Sequence, residues 1–198
     1  MSTAILRPNA AGDECNIQGE IGAACPNHYQ NVDEVIHDGD ATLVYQVNTI
    51  YFRDLYHLQD HTSETGVINS VTVFGYVRNS TGIGYTVKFA IKTGVTAYNG
   101  ADQADTGTAN YVLKSEAWAT NPQTGVAWTW ADIDALQAGI SLKSATAVDG
   151  ASCTQLYVEV DYTTFFSGII HEILISNRAL SAQEIKQLYL NPYDMFLR

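Results

Sequence analysis

A chain of 198 residues with 46% hydrophobic and 11% aromatic residues holds enough apolar material for one sizeable core, and so is not a disordered segment. Its formal net charge of −11 gives a surface that repels nucleic acid and anionic membranes, which excludes both as partners. The basic residues are scattered, with Arg7, Arg53, Arg78, Arg178 and Arg198 far apart, and no run of them could track phosphates.

The opening MSTAILRPNAAGDE has neither a basic n-region nor an apolar h-region, and no apolar run reaches the length of a bilayer span, so the expectation is a product made soluble in the cytoplasm. Residues 1–40 are rich in Asn, Gly, Ala and acids, which predicts an extended N-terminal arm packing on a neighbouring copy. Residues 41–198 are then the folded domain. From Thr42 the pattern changes. Leu43, Tyr45 and Val47, the stretch from Val67 to Val77, and Tyr85 to Ile91 alternate with period two, as half-buried antiparallel strands do. Asn79-Ser80-Thr81-Gly82 supplies a hairpin turn, with Gly82 free to take a positive φ.

Asn110 to Trp118 is another strand, and Thr129 or Trp130 starts a single helical turn that Gly139 ends. Ile140 to Lys143 and the strongly alternating Thr154 to Tyr162 follow. Short strands separated by turn clusters predict an all-β fold, an antiparallel β-sandwich or jelly roll. The chain closes with an apolar strand, Ile169 to Ser176, and a short C-terminal α-helix over 182–190. Ser181 and Glu184 form a capping box, Leu180 and Ile185 a hydrophobic staple, and Asn191-Pro192 a stop.

This ending resembles the close of the laminin-G-like, concanavalin-type β-sandwiches of bacteriophage virion proteins, where a strand is followed by R-x-L-S-x-x-E-I-x-x-L-Y-x-N-P and an aromatic tail. The matching residues are Arg178, Leu180, Ser181, Glu184, Ile185, Leu188, Tyr189, Asn191, Pro192 and Phe196. Residues 5–16, 32–34, 53–61, 68–78, 121–142 and 153–162 are similar to a β-sandwich module of viral and phage-like structural proteins. The resemblance implies a non-enzymatic virion structural protein on the outer surface of the particle, a capsid decoration or cement protein or part of the tail. Its partners would be copies of itself and other virion proteins. No catalytic residue and no cofactor come with it.

Several residue groups could carry chemistry. Asp33, Glu34, Asp38 and Asp40 place four carboxylates beside Gly39, which suits Ca²⁺, although the spacing is not that of an EF-hand; a solvated acidic turn is the alternative. His57 and His61 lie four apart in a poor helix, and His28, His37 and His171 are isolated. Glu159 and Asp161 share one strand face, as paired glycosidase carboxylates or as an ordinary solvent face. Cys15, Cys25 and Cys153 lack any C-x-x-C and read as three small buried or idle thiols, with a Cys15–Cys25 bridge as the alternative. No G-x-S-x-G is present and no cysteine has a plausible His and Asn partner, so no enzyme is expected. Trp118, Trp128 and Trp130 read either as core or as a stacking platform for a surface glycan. The second reading makes the chain a carbohydrate-binding β-sandwich module.

Overall fold

The computed structural model describes residues 2–105, 109–147, 150–164, 179–183 and 185–186. Met1–Phe165 form one compact unit and Phe166–Arg198 another. Among the described residues twelve strands make two antiparallel six-stranded sheets. The first sheet contains β1 (Ser2–Leu6), β3 (Gly19–Ile21), β4 (Leu43–Gln46), β6 (Val67–Asn79), β10 (Val112–Trp118) and β12 (Ala151–Thr163). Its order is β10-β6-β12-β4-β3, with β1 also on β12. The second contains β2 (Pro8–Cys15), β5 (Phe52–Leu58), β7 (Tyr85–Thr93), β8 (Thr96–Asn99), β9 (Gln103–Asp105) and β11 (Gln137–Ser144). Its order is β2-β5-β11-β7-β8, with β9 also on β7.

Alternation decides what each strand buries. In β6 the residues Ile68, Val71, Val73 and Val77 point inward and are buried, and in β12 Leu156, Val158 and Val160 do the same. Facing them are Tyr56 and Leu58 of β5, Val87, Phe89 and Ile91 of β7, and Ala138, Ile140 and Leu142 of β11. Each such side chain contributes about 1.5–3 kcal/mol by leaving water. Val158 is opposite Val73 on one side and Leu6 on the other, so register and burial agree. Gly75 leaves room for Phe89 of the opposite sheet, because a Cβ there would lie 2.9 Å from the Phe89 ring.

The β6–β7 hairpin turns as its residues predict. Gly82 has φ +74°, and the Asn79 side-chain oxygen Oδ1 accepts from both the amide and the hydroxyl of Thr81 at 3.0 Å. The helical turn α1 (Trp130–Asp134) starts at Thr129, whose hydroxyl accepts the Asp132 amide at 3.1 Å while the Asp132 carboxylate accepts the Thr129 amide at 2.9 Å. Gly139 does not end this turn. It sits inside β11, paired with Leu55, where a Cβ would strike the Asp54 carbonyl.

The first forty residues are not a free arm. Ser2–Leu6 adds to the first sheet through β12 and Pro8–Cys15 to the second through β5, leaving Arg7 alone between the two. The small apolar pair Ala4 and Leu6 is buried, and Ile17 and Val32 also join the core. Short polar-flanked strands of this kind have too little apolar weight to stand out in composition. The sandwich unit thus begins at the start of the chain rather than at residue 41.

In the second unit, Ala182, Gln183, Ile185 and Lys186 are helical, and the Ile185 amide donates to the Ser181 carbonyl at 3.0 Å. The strand 169–176 with His171, the capping partner Glu184, the rest of the helix 182–190 and the Asn191-Pro192 stop lie outside the described residues.

Candidate functional site

The outward residues of the second sheet form a polar cleft of about 590 Å³ lined by Glu14, Asn16, Gln18, Tyr51, Arg53, Asn99 and Ser141, with Cys15 and Phe52 at its edge. β5 supplies Arg53, β11 supplies Ser141, β8 ends in Asn99, and the strand exit after β2 brings Glu14 to Gln18 over the same end. The Arg53 guanidinium holds Glu14 in a two-point contact, at 2.7 Å from Nε and 2.6 Å from Nη2, and donates to Asn99 at 3.0 Å. A fork held in this way is pre-organised.

Tyr51 stands beside this fork. Lys88 lies 4.8 Å and Lys143 4.7 Å from its ring centroid, and its hydroxyl donates to Asp102 at 2.6 Å. Burial, reinforced by the Asp102 carboxylate, pushes the Tyr51 hydroxyl well above its ordinary pKa. The hydrogen bonds from Tyr51 and then Lys88 hold Asp102 below the usual carboxylate range. Arg53, Lys88, Lys92 and Lys143 are thus four of the chain's ten basic residues, gathered on one sheet face of an acidic protein.

The outward residues of the first sheet are of another kind. Phe74 of β6 stacks on Tyr157 of β12 with centroids 5.0 Å apart and planes 8° from parallel. Tyr76 packs on His37 at 4.4 Å, and His37 lies 5.9 Å from Tyr111. Arg7 covers Tyr157 at 5.4 Å and Arg78 covers Tyr111 at 4.7 Å. Beside this row a groove of about 320 Å³ is bordered by the exposed Ile5, Val35 and Ile36, and Glu159 lines its far side.

A third cluster lies at the inner end of the cleft. Asp54 of β5 points inward and is fully buried, and it accepts the amides of Asn16 and Ile17 at 2.6 and 2.8 Å on one oxygen. Its other oxygen meets His28 Nδ1 at 2.7 Å and the Tyr56 hydroxyl at 3.2 Å. Cys15 Sγ is 3.4 Å from the same His28 nitrogen, and Cys15 is bridged to Cys25. The Asp54 contact raises the His28 pKa above its ordinary value, and Glu20, 3.5 Å from Nε2, adds to this. Because one imidazole nitrogen faces both the sulfur and the carboxylate, this is not the relay of a nucleophilic triad, which uses the two ring nitrogens separately.

The acidic loop is engaged by protein donors. Thr42 Oγ1 lies 2.5 Å from Glu34 and 2.9 Å from Asp38, and the Thr154 hydroxyl lies 2.9 Å from the other Asp38 oxygen. Burial raises the pKa of Glu34 and of Asp33. Asp40 accepts from Arg78 at 2.5 Å and from Tyr111 at 2.9 Å. Glu34 and Asp38 meet at Thr42 while Asp40 is held by Arg78 and Tyr111, so Asp33, Glu34, Asp38 and Asp40 do not form one ligand set; among the described residues the metal-type cluster is Cys15, His28 and Asp54, whose ligand atoms lie within 4.8 Å of one another.

The tryptophans divide. Trp128 is 4% exposed and its indole donates to the Trp118 carbonyl at 3.0 Å, so it is core and no sugar can stack on it. Trp130 donates to the Gly66 carbonyl at 3.2 Å and meets Tyr162 edge-on, while Trp118 packs on the core with part of its surface in water. His57 is exposed on β5, and His61 pairs with Asp134 at 2.6 Å, so the two do not meet a common ligand. Glu159 and Asp161 share the outer face of β12. Neither the cleft nor the Cys15–His28–Asp54 cluster has a spacing signature, since each is assembled from strands far apart in the chain.

Fold and site together describe an antiparallel β-sandwich whose two outer faces carry contrasting surfaces. No family model and no curated protein matches the chain. Among solved structures, it aligns with CBM35 from Cellvibrio japonicus Abf62 at TM-score 0.39 and 9% identity, over 79% of this chain and 92% of that one. It aligns with a protein described as "CBM4 structure and function" at 0.38 and 12%, over 61% and 83% of the two chains. A Family 16 Carbohydrate Binding Module-2 aligns at 0.29 and 12%, over 61% and 78%.

Proposed function

We propose that the chain is a non-catalytic carbohydrate-binding β-sandwich module, with the cleft on the second sheet as its glycan site. The observation that carries the reading is the fork of Arg53, Glu14 and Asn99 beside Tyr51. Planar amide, carboxylate and guanidinium groups held by one another present donors and acceptors at fixed positions, as vicinal sugar hydroxyls require, and they lose little entropy on binding. Tyr51 adds an aromatic body with a polar tip at the rim. A cleft of about 590 Å³ has room for one or a few sugar rings. Arg53, Lys88, Lys92 and Lys143 outnumber their acidic partners Glu14, Asp102 and Asp13 by one, so a glycan bearing carboxylates fits this face better than a neutral one.

The test is calorimetric titration with neutral and uronate-containing oligosaccharides. Binding of the acidic set that is lost in Arg53→Ala supports the reading, and the absence of binding to either set defeats it. A second reading rests on the first sheet, whose exposed Ile5, Val35 and Ile36 beside stacked rings suit a protein partner. This is the structural, assembly-forming role that the phage resemblance implies. Most of the C-terminal motif that carries the resemblance lies outside the described residues.

A further inference from the structure

We propose that the Cys15–Cys25 bridge masks a zinc site, and that its reduction frees a Cys₂-His-Asp set that binds one Zn²⁺. Three donors meet here, and a fourth, Cys25, is bonded to one of them. Cys15 ends β2, Cys25 precedes the short 3-10 turn His28–Asn31, and Asp54 lies in β5. His28 Nδ1 is 3.4 Å from Cys15 Sγ and 2.7 Å from Asp54 Oδ2. Cys25 Sγ is bonded to Cys15 Sγ, and cutting that bond frees it to join the other three donors. Tetrahedral zinc with bonds of about 2.0–2.3 Å sets neighbouring donors roughly 3.3–3.8 Å apart. The sulfur–nitrogen distance already fits, and the His28–Asp54 hydrogen bond has to open slightly to admit the ion.

The surroundings are those of a supported metal site. Asp54 Oδ1 is taken by the Asn16 and Ile17 amides, which aims Oδ2 at His28 while the Tyr56 hydroxyl steadies it. His28 Nε2 is buried without a hydrogen-bond partner, and the Glu20 carboxylate lies 3.5 Å from it. A proton placed on Nε2 by Glu20 leaves the Nδ1 lone pair for the metal, the arrangement in which an outer carboxylate orients a metal-bound imidazole. Cys25 is exposed, so reductant and ion have access, while His28 and Asp54 are buried and set the geometry.

The redox step is balanced with a water-soluble trialkylphosphine. Phosphorus attacks one sulfur and the S–S bond breaks. Water then supplies the oxygen of the phosphine oxide and the two protons that leave both cysteines as thiols. Zinc binding next displaces those two protons as the thiolates form.

The experiment titrates Zn²⁺ into the full chain, oxidised and phosphine-reduced, against a chromogenic chelator. It repeats the titration with Co²⁺, where tetrahedral coordination shows in the visible and thiolate ligation in the near ultraviolet. One Zn²⁺ per reduced chain and none per oxidised chain is expected. Cys25→Ser should abolish tight binding, and Glu20→Gln should weaken it roughly 10-fold or more. Glu20 is partly exposed, so its replacement leaves the fold intact where changing Asp54 would not. The proposal fails if reduced and oxidised chains take up equal Zn²⁺, or if Cys25→Ser binds as tightly as the reduced chain. It also fails if the reduced chain loses its sheet circular dichroism and Zn²⁺ does not restore it.

Discussion

The outer faces of the two sheets are built by the same alternation and differ in what they hold. On the first, Phe74 stacks on Tyr157 and Tyr76 on His37, with Arg7 over Tyr157 and Arg78 over Tyr111. On the second, Arg53, Lys88 and Lys92 are each tied to an acid, Glu14, Asp102 and Asp13. Period two therefore settles which residues face out, and side-chain chemistry decides whether that face offers apolar area or fixed polar groups. Rings stacked face to face present their edges, which favours burial against a protein over stacking on a sugar. A fork with two fixed contacts favours a ligand rich in hydroxyls or carboxylates.

The contrast is broken most severely from beneath the second face. Asp54→Ala strands the Asn16 and Ile17 amides and the His28 imidazole, and should cost about 3–5 kcal/mol in denaturant unfolding. Asp161, on the outer face of β12, touches Asn69 at 3.4 Å, and Asp161→Ala should stay within about 0.5 kcal/mol. Equal costs would show that the Asp54 cluster holds nothing together. A second break separates binding from stability. Arg53→Ala should lower affinity for an acidic oligosaccharide by tenfold or more, about 1.4 kcal/mol, whereas Phe74→Ala should leave it unchanged. A loss with Phe74→Ala instead would move the glycan site to the first sheet.

A finer test uses the ring pair itself. Phe74→Ala should cost about 1 kcal/mol beyond the area lost, and a double cycle with Tyr157→Ala should return most of that as coupling. The smallest effect concerns Glu34, whose pKa burial raises. A raised carboxyl favours the fold fully below the ordinary value of 4.5 and loses that contribution as pH climbs through the folded value. Glu34→Gln should therefore raise the melting temperature slightly at pH 7 and not at all below pH 4.5. A Glu34→Gln chain that melts lower at pH 7 would mean that the charged form is the one the loop prefers.

Much of the sandwich is legible in the sequence because its long strands carry the signal many times over. Val71, Val73 and Val77 in β6, or Leu156, Val158 and Val160 in β12, repeat one rule along thirteen residues. β1 and β2 were hidden because Ala4 and Leu6 are the whole inward set of one, and Asn, Gly and acids fill the other. Gly139 reads locally as a helix stop, yet it is required by the close approach of the Asp54 carbonyl on a neighbouring strand, which no local pattern encodes. The Trp128 indole found a backbone acceptor inside, so aromatic density alone did not mark a surface. Cys15, His28 and Asp54 are separated by 13 and 26 residues, and only the chain path brings them together.

The two ends of the sandwich unit have a consequence for how the molecule is made. Of the described strands β1 is synthesised before the others and its partner β12 after them: Ser2 waits for Tyr162 and Leu6 for Val158. At about 5–20 residues per second, the opening strand spends on the order of ten seconds or longer without the edge it needs. The second sheet closes earlier, when β11 joins β5 to β7. Translation speed over the stretch between β1 and β12 should therefore govern how much chain is captured by chaperones or lost to aggregation, even where the finished fold is unaffected.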